Sequence, residues 1–217
     1  MLRHILQLIF PPKCILCNQL LAKNETDLCT HCRVHTPEFV YSKNKFPFVA
    51  GWTALWYYKD TVRNSLLSYK FYRGRSNGRV YGRLLAMKLY TEKPEGFDII
   101  TFIPVSFVRK WKRGFDQVEL IARSVGQELG AKPVKTLKKL RNNVPQSTIK
   151  GMAQRRANVL GAYRVRDPKA VAGKRILLLD DIITTGATAS ECAKTLLLAG
   201  AKEVYCAAVA AASHDNK

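Results

Sequence analysis

The feature that most constrains the chain is the run over residues 176–189, where an apolar stretch ends in two carboxylates and a small, hydroxyl-rich turn follows. The apolar stretch is short and continuous, as in a strand buried on both faces of a parallel sheet. A helical pattern begins after the turn. This order predicts an α/β fold with a ligand site at the carboxyl end of the strand.

The turn favours a phosphate ligand, and the acidic pair favours a sugar. Small residues let the backbone close around an oxyanion while the N–H groups of the next helix point at it. Asp180 and Asp181 suit vicinal hydroxyls or a hydrated Mg²⁺. A ribose 5-phosphate fits both halves; the alternative is a polar turn that only caps a helix. The turn residues are Thr184, Thr185, Gly186, Ala187 and Thr188.

Two other phosphate-binding motifs do not match this turn. A dinucleotide fingerprint requires G-x-G-x-x-G and a P-loop requires G-x-x-x-x-G-K-[ST], whereas the turn has one glycine and no lysine. Paired aspartates at a strand end repel each other unless a cation or hydroxyl groups bind them. A ligand site is therefore favoured over a purely structural turn.

The segment L-L-L-D-D-I-I-T-T-G-A-T at residues 177–188 resembles the phosphoribosyl-pyrophosphate (PRPP) motif of type I phosphoribosyltransferases. The resemblance implies that the acidic pair contacts the ribose hydroxyls and that the turn holds the 5-phosphate. It also implies a mostly parallel sheet flanked by helices, and magnesium bound together with PRPP.

Other segments make the chain similar to the competence protein ComF family, which implies a link to DNA uptake. These segments are P-P-x-C-x-x-C at residues 11–17, Y-K-F at 69–71, R-G-F-D-Q at 113–117, and the pair Gln146 and Arg155. The chain departs from the family pattern at two positions. Asp116 stands where Asn is usual, and Ser106 replaces the second proline of P-V-P.

Two basic segments complete the candidate site. Arg109 and Arg113 follow a predicted buried strand, so they should lie near the edge of the sheet that carries the acidic pair. In type I phosphoribosyltransferases the corresponding loop holds pyrophosphate, and the resemblance implies that role for these two arginines. The alternative is the solvated start of a basic helix.

The second basic segment spans residues 129–166, which contain no acidic residue and include Arg155. The family resemblance implies a mobile loop here. Such a loop closes over a polyphosphate and excludes water from the reacting centre. Single-stranded DNA is the rival ligand, because aromatic residues such as Phe71 and Trp111 interleave with Lys and Arg in this chain.

Four cysteines predict a structural zinc site near the start of the chain. Cys14-x-x-Cys17 and Cys29-x-x-Cys32 supply four thiolates in a segment too short to form its own core. Disulfides or a redox pair are the alternatives. His31 and His35 are substitute ligands of lower rank, and we expect Cys192 and Cys206 to be small buried hydrophobes.

The formal net charge of +20 indicates attraction for phosphates, nucleic acid or an acidic membrane surface. Residues 1–10 are apolar but lack the length and the cleavage site of a secretory leader, so we expect a short helix packed on the core. No stretch reaches the roughly twenty apolar residues of a membrane span. We therefore expect a cytoplasmic protein.

The chain divides into two predicted units, a helix and zinc-ribbon module over residues 1–45 and a phosphoribosyltransferase-like domain over 46–217. Residues 42–45 form the predicted linker. In the larger unit, strands alternate with helices, which favours a mostly parallel sheet. Strands are predicted at 51–58, 98–104, 175–181 and 204–210; helices at 61–70, 79–90, 118–129 and 187–198; and an irregular segment at 138–158.

Three functional hypotheses follow. The first is a Mg²⁺-dependent enzyme that transfers the ribosyl group of PRPP to an acceptor, and the second is a protein that binds PRPP or single-stranded DNA during DNA uptake. The third is a sensor that binds PRPP without turning it over. The predicted partners are PRPP or a related ribose phosphate, single-stranded DNA and the DNA-uptake machinery.

Overall fold

A computed structural model of the chain describes residues 11–40, 45–71, 76–93, 95–144, 149 and 151–212. Three predictions lie outside these residues: the helix over 1–10, most of the linker over 42–45, and the placement of Gln146. In chain order the elements are α1 (Thr30–His35), β1 (Gly51–Tyr57), α2 (Asp60–Phe71), α3 (Asn77–Glu92), β2 (Ile99–Phe102), α4 (Phe107–Arg113), α5 (Gln117–Glu128), β3 (Leu137–Lys139), α6 (Met152–Val159), β4 (Tyr163–Val165), α7 (Pro168–Val171), β5 (Arg175–Ile183), α8 (Ala187–Leu198) and β6 (Glu203–Ala211).

Four strands form a parallel sheet in the order β1-β6-β5-β2. The apolar run that the sequence singles out is β5, and it lies inside the sheet between β6 and β2. Its side chains alternate between two cores: Leu177 and Leu179 face one, and Ile176 and Leu178 face the other. Burial on both faces explains why the run is continuously apolar rather than alternating.

Helices cover both faces of the sheet. Leu85 of α3 and Ile121 of α5 belong to the core that contains Leu177, while Cys192 and Leu196 of α8 belong to the core that contains Leu178. The short antiparallel pair of β3 and β4 packs on the α8 side. Cys192 and Cys206 are both fully buried, as expected.

The zinc-ribbon segment shares a core with the sheet. Ile15 and Leu16 are buried in the same hydrophobic cluster as Leu66. The hydroxyl of Ser65 in α2 donates a hydrogen bond to the carbonyl of Ile15. Because these contacts join the two predicted units, their stabilities should be coupled.

The prediction of an irregular segment over 138–158 is wrong at both ends. Leu137–Lys139 forms β3, whose residues pair with β4, and Met152–Val159 forms α6. A three-residue strand is too short to give a periodic signal and depends on its pairing partner. The other strands and helices predicted for residues 46–217 are present, with ends shifted by a few residues at most.

Candidate functional site

A cleft of about 1200 Å³ lies at the carboxyl ends of β1, β2 and β5. Ligands bind at this edge in open parallel α/β sheets. The cleft brings together the acidic pair, the Thr-Gly turn and the predicted basic residues. All ten predicted ligand-site residues line it: Asp180, Asp181, Thr184, Thr185, Gly186, Ala187, Thr188, Arg109, Arg113 and Arg155.

Asp181 is 6% exposed and is held by two side chains from different helices. The ammonium of Lys70 lies 2.9 Å from its Oδ2 atom, and Nε2 of Gln117 donates to the same oxygen at 3.0 Å. Burial alone would raise the pKa of Asp181. The Lys70 ammonium and the Gln117 amide outweigh burial, so this pKa lies below its usual value and Asp181 is a carboxylate.

Asp180 is half-buried and lies next to that negative charge. Its Oδ1 atom accepts a hydrogen bond from the backbone N–H of Asp181 at 2.8 Å. Burial and then the Asp181 charge raise the pKa of Asp180 well above its usual value. The two carboxyl groups therefore differ in their affinity for a proton. A ligand that donates hydrogen bonds to Asp180, or that carries a cation, would offset the cost of its buried negative charge.

The turn after β5 is shaped by Gly186, which has a φ of 70° and is the N-cap of α8. The N–H of Ala187 reaches Oγ1 of Thr185 at 3.5 Å, and the N–H of Ser190 donates to the Gly186 carbonyl at 2.8 Å. Helix α8 thus starts directly at the cleft, with its positive dipole end towards it. This arrangement fits a phosphate group at the turn.

Three arginines also line the cleft. Arg109 donates to the carbonyl of Asn143 at 3.0 Å, and Arg155 donates to the carbonyl of Ile149 at 2.9 Å. The guanidinium of Arg113 lies 5.1 Å from the ring centroid of Phe71, and burial lowers its pKa. These cations give the cleft a strong attraction for a polyanion.

Asp116, one of the two departures from the family pattern, caps a helix. Its Oδ1 atom accepts hydrogen bonds from the N–H groups of Val118 and Glu119 at 3.1 Å, at the start of α5. Its Oδ2 atom accepts from the N–H of Val105 at 3.4 Å. The carboxylate therefore ties the loop after β2 to α5. The usual Asn would offer one side-chain oxygen as an acceptor at this position, and Asp116 offers two. Asp116 can therefore take the place of Asn as the cap of α5.

Sequence reasoning assigned no role to Lys70, Gln117 or Lys139, which also line the cleft. Lys70 and Gln117 lie within motifs that resemble the ComF family. These motifs mark the two residues in the sequence, but they do not indicate that both side chains contact Asp181. Lys139 lies 5.2 Å from the ring centroid of Tyr163, and burial lowers its pKa. Oε1 of Gln117 is buried and has no hydrogen-bond partner among the described residues.

The four predicted zinc ligands form one cluster. Their Sγ atoms all lie within 4.8 Å of one another, and those of Cys17 and Cys29 are 3.6 Å apart. Tetrahedral zinc with Zn–S bonds of about 2.3 Å requires sulfur atoms separated by about 3.8 Å, so the cluster fits. The remaining ligands are Cys14 and Cys32. The N–H of Cys32 also reaches the sulfur of Cys29 at 3.4 Å.

His31 and His35 are exposed and lie outside this cluster. Their rings stack with centroids 4.5 Å apart, and Nδ1 of His35 lies 3.0 Å from the His31 carbonyl oxygen. They therefore rank below the four cysteines as ligands, as expected.

The family can now be assigned. Residues 77–217 match the phosphoribosyl transferase domain, and residues 5–43 match the double zinc ribbon domain. The chain therefore belongs to the phosphoribosyl transferase domain family and carries an N-terminal zinc ribbon. The predicted fold class and the structural four-cysteine zinc module are confirmed.

The chain is also similar to proteins named for DNA utilization and for competence. DNA utilization protein YhgH of Salmonella typhi is 31% identical over 144 residues, which span 63% of this chain and 62% of the relative. Competence protein ComFC of Streptococcus pneumoniae is 31% identical over 151 residues, spanning 70% of this chain and 64% of the relative. The resemblance to the ComF family is confirmed, although this chain matches less than two thirds of either relative's length.

Among solved structures, a glutamine PRPP amidotransferase from B. subtilis is 23% identical, with a TM-score of 0.42. The matched region covers 64% of this chain and 30% of the amidotransferase chain. A likeness of this degree supports no functional inference. Within the part of the chain that the structure describes, no helix is long and apolar enough to cross a membrane.

Proposed function

We propose that the chain binds PRPP, or a closely related ribose phosphate, in the cleft at the carboxyl ends of β1, β2 and β5. The observation that carries this proposal is the convergence of three chemistries on one cleft. An acidic pair suits vicinal hydroxyls, a helix-start turn suits a phosphate monoester, and a group of arginines suits a pyrophosphate. PRPP carries all three groups on one sugar.

Each part of the ligand has a matching part of the protein. The 5-phosphate lies at the turn formed by Thr184, Thr185, Gly186, Ala187 and Thr188. The ribose hydroxyls donate hydrogen bonds to Asp180 and Asp181. The pyrophosphate lies near Arg109, Arg113 and Arg155, whose charges offset its own. The α6 segment that carries Arg155 would then help exclude water.

Magnesium enters this proposal with the substrate, as the Mg²⁺ complex of PRPP. Mg²⁺ prefers octahedral oxygen ligands and keeps several waters, and it commonly binds through substrate phosphates and one or two carboxylates. Asp180 lines the cleft and is half-buried, so it suits a water of the hydrated ion. When bound, the ion would neutralise negative charge on the pyrophosphate group.

The biological setting that we propose is the cytoplasmic handling of DNA during uptake, because the relatives are named for DNA utilization and competence. Two chemical roles fit the same site. A transferase breaks the bond between ribose C1 and a pyrophosphate oxygen and forms a new bond from C1 to an acceptor. A sensor binds PRPP and leaves that bond intact.

Calorimetry with PRPP, with and without Mg²⁺, tests the binding proposal. We expect saturable binding that is lost in the variant Asp180→Asn with Asp181→Asn, whereas Asp98→Asn serves as a matched control outside the cleft. Release of pyrophosphate in the presence of a panel of nucleobases separates the transferase from the sensor. Binding of PRPP by the double variant with wild-type affinity would contradict the site assignment.

A second candidate function is the binding of single-stranded DNA, favoured by α4. Phe107 and Trp111 on this helix are 81% and 76% exposed, and Lys110 lies between them in sequence. Other residues of the same helix, Arg109 and Arg113, line the cleft. Exposed aromatic rings among cations stack bases and neutralise phosphates.

This second candidate is tested with a fluorescent oligothymidine at several salt concentrations. We expect affinity to fall steeply as salt rises, because phosphate binding releases counterions. Trp111→Ala with Phe107→Ala should weaken binding, whereas Tyr90→Ala, which removes another exposed ring, should not. Equal affinity of both variants would exclude α4 as the DNA surface.

A further inference from the structure

Lys70 places a positive charge directly beside the acidic pair. Its ammonium lies 2.9 Å from Oδ2 of Asp181, and the side chain is only 16% exposed. Gln117 donates to the same oxygen at 3.0 Å. A divalent ion that bound this oxygen would have to displace both groups.

The two helices that deliver these groups are locked together. Tyr69, the neighbour of Lys70 at the end of α2, is fully buried, and its hydroxyl donates to the backbone carbonyl of Gln117 at 2.6 Å. Both residues that hold Asp181 therefore come from one rigid junction between α2 and the start of α5. This junction sets the backbone positions from which Lys70 and Gln117 reach Asp181.

Charge also opposes a metal ion at Asp181. The lysine ammonium neutralises one carboxylate of the pair, and the guanidinium of Arg113 adds a further positive contribution at Asp181. Like charges a few ångströms apart repel strongly at the effective dielectric constant of a protein surface. A divalent ion bound at Asp181 beside a retained Lys70 would be repelled by the ammonium group.

We propose that Lys70 is the built-in counter-ion of the acidic pair, holding Asp181 in place so that this carboxylate recognises ribose hydroxyls without a divalent metal ion bound to it. This assignment makes Lys70 a positioning residue and rests on the proposed function. Any magnesium in the cleft is then the ion that a pyrophosphate ligand carries. Recognition of the sugar and its 5-phosphate needs no metal.

Metal binding is measured on the zinc-loaded protein, without a sugar ligand, by electron paramagnetic resonance with Mn²⁺. We expect the wild type to show no Mn²⁺ site that depends on Asp181. Lys70→Met removes the ammonium group from Oδ2 of Asp181, so it should bind Mn²⁺ at least about tenfold more tightly than the wild type, and adding Asp181→Asn should abolish the gain. Lys70→Arg keeps the cation and should behave as the wild type does.

The wild-type arm remains decisive if Lys70→Met does not fold. An Mn²⁺ site in the wild type that Asp181→Asn removes would overturn the proposal, and so would equal Mn²⁺ affinity of the wild type and a folded Lys70→Met. A merely structural role for Lys70 would change the thermal midpoint but would create no metal site.

Ribose 5-phosphate, which has no pyrophosphate to carry a metal ion, supplies the second arm. We expect calorimetry of the wild type to give the same affinity in EDTA and in Mg²⁺, and the affinity of Lys70→Met to increase when Mg²⁺ is present. The two arms separate the proposals. If the wild type binds neither ribose 5-phosphate nor PRPP while the Mn²⁺ results hold, the proposed function fails and with it the recognition of ribose hydroxyls, whereas the role of Lys70 as the counter-ion that keeps metal from Asp181 stands. If ribose 5-phosphate binds only with Mg²⁺, the counter-ion role fails.

Discussion

The ring of Phe46 packs directly against the backbone of Gly186. A Cβ atom at position 186 would overlap three atoms of that ring, and Gly186 has a φ of 70°. Phe46 is itself buried and lies 4.8 Å, centroid to centroid, from the ring of Trp52. Two independent constraints, backbone conformation and close packing, therefore require glycine at the start of α8.

We expect Gly186→Ala to weaken the binding of every phosphate ligand, because the turn must shift away from Phe46 and the helix start moves with it. Left-handed backbone at a non-glycine residue also costs about 1–3 kcal/mol of stability. Urea unfolding and calorimetry with ribose 5-phosphate measure the two effects. Gly173→Ala is the matched control, since Gly173 has the same φ but open space around it. Equal loss of ligand affinity in both variants would contradict this account.

The acidic pair and the turn should fail in different ways. Asp180→Asn with Asp181→Asn removes charged acceptors for the ribose hydroxyls, so binding of PRPP should be lost and binding of ribose 5-phosphate should weaken, while inorganic phosphate binds as before. Thr185→Val removes a hydroxyl from the turn, so inorganic phosphate should also bind less tightly. Calorimetry with inorganic phosphate on both variants and on the wild type measures the difference. The same loss of phosphate affinity in both would show that the two halves do not act separately.

Asp180 should destabilise the folded chain at neutral pH. Its pKa is raised in the folded state, so the folded protein holds this proton more tightly than the unfolded chain does. Protonation of Asp180 therefore stabilises the folded state. This contribution is fully present at a pH below the pKa of Asp180 in the unfolded chain, and it is lost as the pH rises through the raised pKa in the folded chain. Asp180→Asn keeps an oxygen for the Asp181 N–H and removes the charge, so it should increase the free energy of unfolding at pH 7.

Urea unfolding of the wild type and Asp180→Asn across a pH series measures this effect. The advantage of the variant should shrink as the pH falls through the raised pKa of Asp180, because the wild type then becomes neutral at this position. Asp98→Asn is the control. The pKa of Asp98 is lowered, chiefly by the backbone N–H of Arg175, so this substitution should decrease the free energy of unfolding at pH 7. If the wild type and Asp180→Asn differed in free energy of unfolding by the same amount at every pH, the pKa of Asp180 would not be raised in the folded state.

Local patterns were sufficient to predict the part of the site that lies on one segment. The strand, the acidic pair, the turn and α8 follow one another in the sequence, and parallel-sheet topology then places the loop after β2 at the same edge. The predicted residues of the site therefore meet in one cleft, and their functional roles remain predictions. Two matched C-x-x-C pairs similarly sufficed for the cysteine cluster.

The contacts that the sequence could not supply are those between distant elements. Lys70 meets Asp181 only because α2 ends beside the carboxyl end of β5, and Gln117 joins them because Tyr69 fixes the start of α5. The periodicity of apolar residues within each element does not determine such contacts between separate elements. The pairing of β3 with β4 was missed for the same reason, since three-residue strands depend on tertiary pairing rather than on local propensity.

The zinc ribbon is joined to the larger domain by polar contacts as well as by the shared core. Arg83 of α3 forms an ion pair with Asp27, and Lys88 of the same helix donates to the carbonyl of Phe39 at 2.6 Å. Cys14 and Cys32 themselves belong to the cluster that contains Tyr81 and Leu85. Metal binding in such a module supplies folding free energy.

Loss of zinc should therefore lower the stability of the whole chain rather than unfold the ribbon alone. We expect Cys29→Ser, or chelation of the metal, to lower the thermal midpoint of a single cooperative transition, as followed by both circular dichroism and intrinsic Trp fluorescence. Cys192→Ser provides a control for the loss of a buried thiol away from the metal site. Two resolved transitions, with the larger domain unchanged in midpoint, would contradict the coupling, because the buried contacts of Ile15 and Leu16 would then contribute nothing to the larger domain's core.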